Sequence, residues 1–269
     1  MPTFEGTFVP PLELSNNSQT LNFGENIAIK DKIETTVHKA GNLSFKGTSS
    51  VESQIGSENL WLGKVEFISG ADKKDVKLGG DIYSDKLKFH NVNIILSKSV
   101  KIQSGPNSLN IIDGVVDLKN KTLTLAGNNV IAGDVTFKTT FDADAGVGGN
   151  IVVDGAASGL DFSAANPVSV EIYGNTPLPE PGSVHEYKLI KTVNGGTVVP
   201  NPNISFTSSE ANNLLKWTYD KATYELKGVY DPEILPQIIN EAGGSTDDLA
   251  VAEFLTNNPE ANKILPDYQ

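Results

Sequence analysis

Carboxylates carry most of the chemistry that this sequence could do. Asp81/Asp85 and Asp113/Asp117 are pairs four residues apart, the residue type used as acid and base in glycoside cleavage. Turn and solvent-face roles are the simpler account of both pairs. Asp142-x-Asp144-x-Gly146 has part of a calcium-loop spacing, but its Gly falls at the fifth position and no Glu closes the loop. It reads as a turn. Gly155-Ala156-Ala157-Ser158-Gly159 sets its Ser one place late for a nucleophile elbow. The three His, His38, His90 and His185, stand apart in sequence, and Lys73-Lys74 between Asp72 and Asp75 reads as a solvated loop. There is no Cys, which removes thiol chemistry, disulfides and Cys-based metal sites. All 21 basic residues are Lys, so the Arg forks usual at phosphate sites are missing. A net charge of -12 argues against nucleic acid as a partner. No catalytic residue, metal or cofactor is expected.

The elements that must position these residues are strands of one repeat. Leu21-Asn22-Phe23 returns as Leu43-Ser44-Phe45, Val65-Glu66-Phe67, Leu87-Lys88-Phe89 and Leu109-Asn110-Ile111, each copy 22 residues after the last. Apolar, polar, apolar is the alternation of a strand with one buried face. Gly41, Gly63, Asp85 and Asn107 stand two residues before the later copies and mark turns. A unit this short cannot bury its own apolar face, so the period predicts coils stacked into a solenoid. Stacking places Leu21, Leu43, Val65, Leu87 and Leu109 in one interior ladder. Phe23, Phe45, Phe67, Phe89 and Ile111 form a second beside it, and Asn22, Ser44, Glu66, Lys88 and Asn110 face outward. A weaker series, Ile55, Val76/Leu78, Val100/Ile102 and Leu123/Leu125, predicts a second wall. The fold class that follows is all-β, a parallel β-helix of about 22 residues per coil.

Three regions divide the 269 residues. Residues 1–141 hold the coils, with Pro10-Pro11 in a partial first coil or cap. Val135 to Phe141 ends the regular rungs, with no obvious further copy of the triplet. Residues 142–230 change texture, through Ile151-Val152-Val153, Leu160-Asp161-Phe162, the Pro-rich 177–182 and Glu186 to Ile190. They end in a hairpin, 214–219 with 223–230, turning at Asp220-Lys221-Ala222. Trp217 and Tyr224 are expected to clamp that hairpin by cross-strand aromatic packing. Residues 231–269 turn helical: 234–242, then 249–255 behind a Ser245 cap, then a turn opened by Asn258-Pro259. No apolar run reaches the roughly 20 residues that cross a membrane, and no leader is recognisable before Phe4.

The set Gly148-Gly149-Asn150-Ile151-Val152-Val153, Leu160-Asp161-Phe162, Tyr187-Lys188-Leu189-Ile190 and the Trp217/Tyr224 hairpin resembles the C-terminal passenger region of autotransporters. The nearest flavour is the rickettsial surface cell antigen group, including the large outer membrane protein A and B antigens. The resemblance is best over residues 130–260, while 20–130 share only a solenoid texture. It implies a right-handed parallel β-helix, an autochaperone-like region and a helical linker to a transmembrane β-barrel that this sequence lacks. It transfers no catalytic residue. The expectation is a monomeric, surface-displayed segment on the bacterial outer membrane, in adhesion or contact with a host-cell surface protein. An inert spacer and a β-helix carbohydrate enzyme or phage-type fibre are the alternatives.

Overall fold

The computed structural model describes residues 3–4, 7–8, 12–16, 18–106, 109–142, 147–173, 184–199, 204–208, 215–230 and 243–257. The repeat becomes a ladder of parallel strands. Leu21 registers with Leu43, Val65, Leu87 and Leu109 in turn, and Phe23 with Phe45, Phe67, Phe89 and Ile111. Phe23, Phe45, Phe67 and Phe89 are fully buried and stack ring on ring, with centroids 4.5, 4.5 and 4.9 Å apart and planes within 13°. That spacing is the strand separation, about 4.8 Å, so the backbone ladder sets the ring distance. The molecule is a parallel β-helix.

Three walls make each coil. The first carries the triplets. The second stacks Ile27, Ser49, Val76, Ile94, Val116, Phe137 and Val170 in register. The third stacks Ile33, Ile55, Ile82, Ile102, Leu125 and Val153. The expected second wall thus mixed two: Val76 and Leu78 belong to the second, whereas Ile55, Val100/Ile102 and Leu123/Leu125 belong to the third. Both walls are aliphatic at a similar period, so sequence spacing alone merged them.

The triplet also continues where no further copy was evident. Leu109 registers with Asn129 and Ile111 with Ile131; Asn129 then registers with Leu160, and Leu160 with Val198. The step shortens to 20 residues and then lengthens to 31 and 38. Asn129 occupies the Leu position, 1% exposed, and its amide nitrogen donates to the carbonyls of Gly127 (2.6 Å) and Gly159 (2.9 Å). This polar rung concealed the pattern.

Corners between the walls need little chain. Ile82–Leu96 is one 15-residue strand that serves all three walls, with Ile82 on the third, Leu87 on the first and Ile94 on the second. Asp85 sits inside this strand at a corner, not in a separate turn. Between the first and second walls Asn91, Asp113 and Gly133 hold left-handed φ values of 56°, 51° and 69°. These residue types tolerate that conformation best.

The coils run on through residue 142, because Asn128–Asp142 pairs in parallel with Gly159–Tyr173. A three-stranded antiparallel sheet, Val184–Lys188, Glu225–Tyr230 and Leu215–Asp220 in that spatial order, joins the stack through Leu189. The Leu189 amide donates to the Tyr224 carbonyl (3.1 Å) and Tyr187 enters the core. Helix α1, Thr246–Asn257, opens on a reciprocal cap: the Asp248 amide donates to Ser245 Oγ, and the Ser245 amide to Asp248 Oδ2 (2.8 Å). The expected helix at 234–242 and the turn at 258–260 lie outside the described residues.

Phe67 has a ring on either face, so truncation leaves a cavity between two rungs. Phe67→Ala is expected to lose roughly 3–5 kcal/mol in denaturant titration. Conservative Phe67→Leu should lose clearly less.

Candidate functional site

Several of the candidate groups stand at corners, where they bond from one coil to the next. Asp81 Oδ1 accepts the Lys101 amide (2.7 Å), Asp113 Oδ1 the Asp134 amide (2.9 Å), and Glu25 Oε2 the Thr48 amide (3.2 Å). Ser99 Oγ takes the Thr122 amide (3.0 Å) and His38 Nδ1 the Trp61 amide (3.3 Å). Each pair lies 20–23 residues apart, one coil to the next. Where the backbone turns, its amides lose their strand partners, and these side chains replace them. Glycine makes room for two of the carboxylates. A Cβ at Gly133 would stand 2.1 Å from Asp113 Oδ1, and one at Gly47 would stand 2.5 Å from Glu25 Oε2.

The spaced carboxylates therefore do not face each other. Asp85 pairs with Lys39 (2.6 Å), and Asp117 accepts the Tyr173 hydroxyl (2.6 Å) and the Lys119 amide (3.1 Å). Desolvation, then the hydrogen bond to Asp117, pushes the Tyr173 phenol well above its usual range. Ser158 is buried, donates to the Asp154 carbonyl (2.5 Å) and accepts the Gly127 amide (2.9 Å), so its hydroxyl ties two coils together. His90 lies on the first wall in register with Ile68, while the His185 backbone pairs with Gly228 in the antiparallel sheet. Residues 143–146 of the calcium-like spacing lie outside the described residues. Among the described residues no three His, Asp or Glu gather as a metal site, and no helix is long and apolar enough to cross a membrane.

The Trp217/Tyr224 clamp needs correction. Trp217 registers with Gly228, and Tyr219 with Leu226. Tyr224 lies in the turn, at φ 57°, so Gly228 rather than Tyr224 is the backbone partner of Trp217. The turn takes Lys221 to Tyr224 because Asp220 Oδ1 accepts the amides of Ala222 (2.8 Å) and Thr223 (3.3 Å). Those bonds hold the Asp220 carboxyl below its ordinary value. Tyr219 and Tyr224 instead pack on the core.

Two open grooves mark the flanks. One of about 260 Å³ crosses the outer face of the first wall beside the Lys64–Glu66 ion pair (2.6 Å). The larger, about 610 Å³, follows the corner between the third and first walls. Sequence reasoning missed it, although Gly155 to Ser158 had been singled out for another reason. Compared with models of protein families, with curated proteins and with solved structures, the chain matches none.

Two predictions follow from these bonds. Asp81→Asn keeps an oxygen for the Lys101 amide and should leave stability nearly unchanged. Asp81→Ala orphans that amide and should cost roughly 1–2 kcal/mol in denaturant titration. Burial also raises the Tyr187 and Tyr219 phenols, the latter helped by Tyr224 and Asp220. A raised folded value means their contribution is full below about pH 10 and is lost as pH climbs through the folded value. Alkaline absorbance titration should therefore show Tyr187 and Tyr219 ionising above the usual tyrosine value of about 10, together with loss of the C-terminal sheet.

Proposed function

We propose that this chain is a surface-displayed passenger segment that binds rather than catalyses. Its shape carries the reading. The first wall runs through nine stacked rungs, from Thr3–Phe4 to Thr197–Val199, a rod of roughly 38 Å at about 4.8 Å per step. Two strands of the antiparallel sheet and the capped helix follow it in the chain. That order supports the resemblance to autotransporter passengers, in which such a region aids folding during export and a linker leads to a transmembrane β-barrel. Engagement of Asp81, Asp113 and Ser158 in corner bonds supports binding over turnover. The partner is a host-cell surface protein, met outside the bacterial outer membrane by a monomeric rod. The acidic balance makes long-range attraction favour basic patches and fade with salt over about 8–10 Å.

Fusion of the chain ahead of an autotransporter β-barrel in a Gram-negative bacterium tests this. Antibody and protease should reach it on intact cells, and those cells should adhere to host cells. Deletion of 184–230 should sharply reduce display. Retention inside the envelope would defeat the passenger reading, and display without adhesion would leave a spacer.

A further inference from the structure

The larger groove is a surface apart from the first-wall face of the rod. It exists because corner lengths differ along one edge of the rod. Gly127 turns one corner tightly, at φ 92°, and a Cβ there would stand 2.3 Å from the Ser104 carbonyl. On either side longer corners project, one ending in Trp61 and the other running through Gly155, Ala156 and Ala157. The result is a trough about 610 Å³ in volume, crossing several rungs along the axis. That volume is ordinary for a small-ligand site.

Its lining has a consistent chemistry. The Trp61 indole NH donates to the Glu58 carbonyl (3.0 Å), and the half-buried ring, tilted against the His38 imidazole with centroids 5.6 Å apart, lines the trough. The side-chain amides of Gln103 and Asn128 line the trough and hydrogen-bond to no described residue. Lys101 lies 3.6 Å from Glu58 Oε1, and Asp154 accepts the Asn194 amide (2.7 Å). The lining itself holds one lysine and one aspartate, so its formal charges cancel. An aromatic face with open planar amides and balanced charge suits a ligand with apolar C–H faces and many hydroxyls.

Geometry narrows the class further. The trough crosses the strands, so its polar groups recur at the rung step of about 4.8 Å. That step is close to the repeat of one pyranose in an extended chain. An extended peptide repeats its side chains every two residues, about 6.6 Å. Peptides also bind strand edges through unpaired backbone groups, whereas here each strand is paired on both sides by neighbouring coils. We propose that the groove between Trp61 and Ala157 binds a neutral oligosaccharide, with Trp61 stacking on one sugar and Gln103 and Asn128 hydrogen-bonding to sugars two and three rungs further along. This goes beyond the display reading and holds whether or not the chain is displayed.

Calorimetric titration of the purified chain with neutral tetrasaccharides of glucose, galactose, mannose and N-acetylglucosamine tests it. At least one should bind at micromolar to millimolar concentration. Trp61→Ala should weaken that binding about tenfold or more, equivalent to about 1.4 kcal/mol, and Trp61→Phe should restore much of it. Ala157 is exposed, so Ala157→Arg blocks the trough without touching the core; it should abolish binding with an unchanged thermal melt. No binding by any neutral tetrasaccharide at millimolar concentration would overturn the proposal. So would binding that survives both Trp61→Ala and Ala157→Arg, or a preference for a sulfated tetrasaccharide.

Discussion

Everything in this molecule depends on the backbone ladder between coils. Each wall strand pairs with the strand one coil before and one coil after it, at about 4.8 Å. That spacing forces a residue to sit on its counterpart in the neighbouring coil. Identical side chains are then the easiest to pack, because what fits one rung fits the next. Four phenylalanines at centroid distances of 4.5–4.9 Å are the direct outcome. Val76, Ile94 and Val116 on the second wall, and Ile82, Ile102 and Leu125 on the third, repeat the same solution with aliphatic chains. The interior is three such ladders meeting, with Ser49 and Asn129 among the polar residues set into them.

A ladder satisfies the backbone only where the chain is extended. At each corner the chain turns, amide directions diverge, and donors lose their carbonyl partners. An unpaired buried donor costs on the order of 1–3 kcal/mol, so corners need acceptors. Asp81, Asp113, Glu25 and Ser99 supply them, each reaching the following coil. The carboxylates most suggestive of catalysis by spacing are therefore fasteners, and their 20–23-residue reach is the solenoid period in another form. Lys39 extends the same logic. Its backbone carbonyl lies 2.7 Å from where a Gly63 Cβ would stand, so only glycine fits beneath it. Its ammonium meets Asp85 beyond that glycine.

Legibility in the sequence followed side-chain regularity. Five triplets at constant spacing revealed the first wall, because the Leu and Phe positions both face the core and leave no alternative register. The rung at Asn129 was hidden, since one buried Asn replaces Leu and the step shortens at the same point. The second and third walls merged, as Val, Ile and Leu serve either equally well. Asn91, Asp113 and Gly133 also recur at 22 and 20 residues, yet they share a left-handed φ rather than a side chain. Only a search for residues tolerant of that conformation would have aligned them. The hairpin was legible, but its turn was not. Asp220 captures two amides, lengthens the turn, and moves Tyr224 out of the strand that would have faced Trp217.

The same division explains where recognition can arise on such a rod. Wall residues are coupled to two neighbours each, so a change there must be matched above and below. Corners tolerate length changes because a longer loop leaves the ladder registers on either side intact. At the corner from the third wall to the first, Leu125 to Asn129 is a step of 4 residues and Val153 to Leu160 in the next coil a step of 7, and the longer corner projects beside the tight turn at Gly127. The groove is that difference in length seen from outside. No single residue encodes it. A surface of this kind appears in sequence only as irregularity in a period, the feature that a search for repeats sets aside.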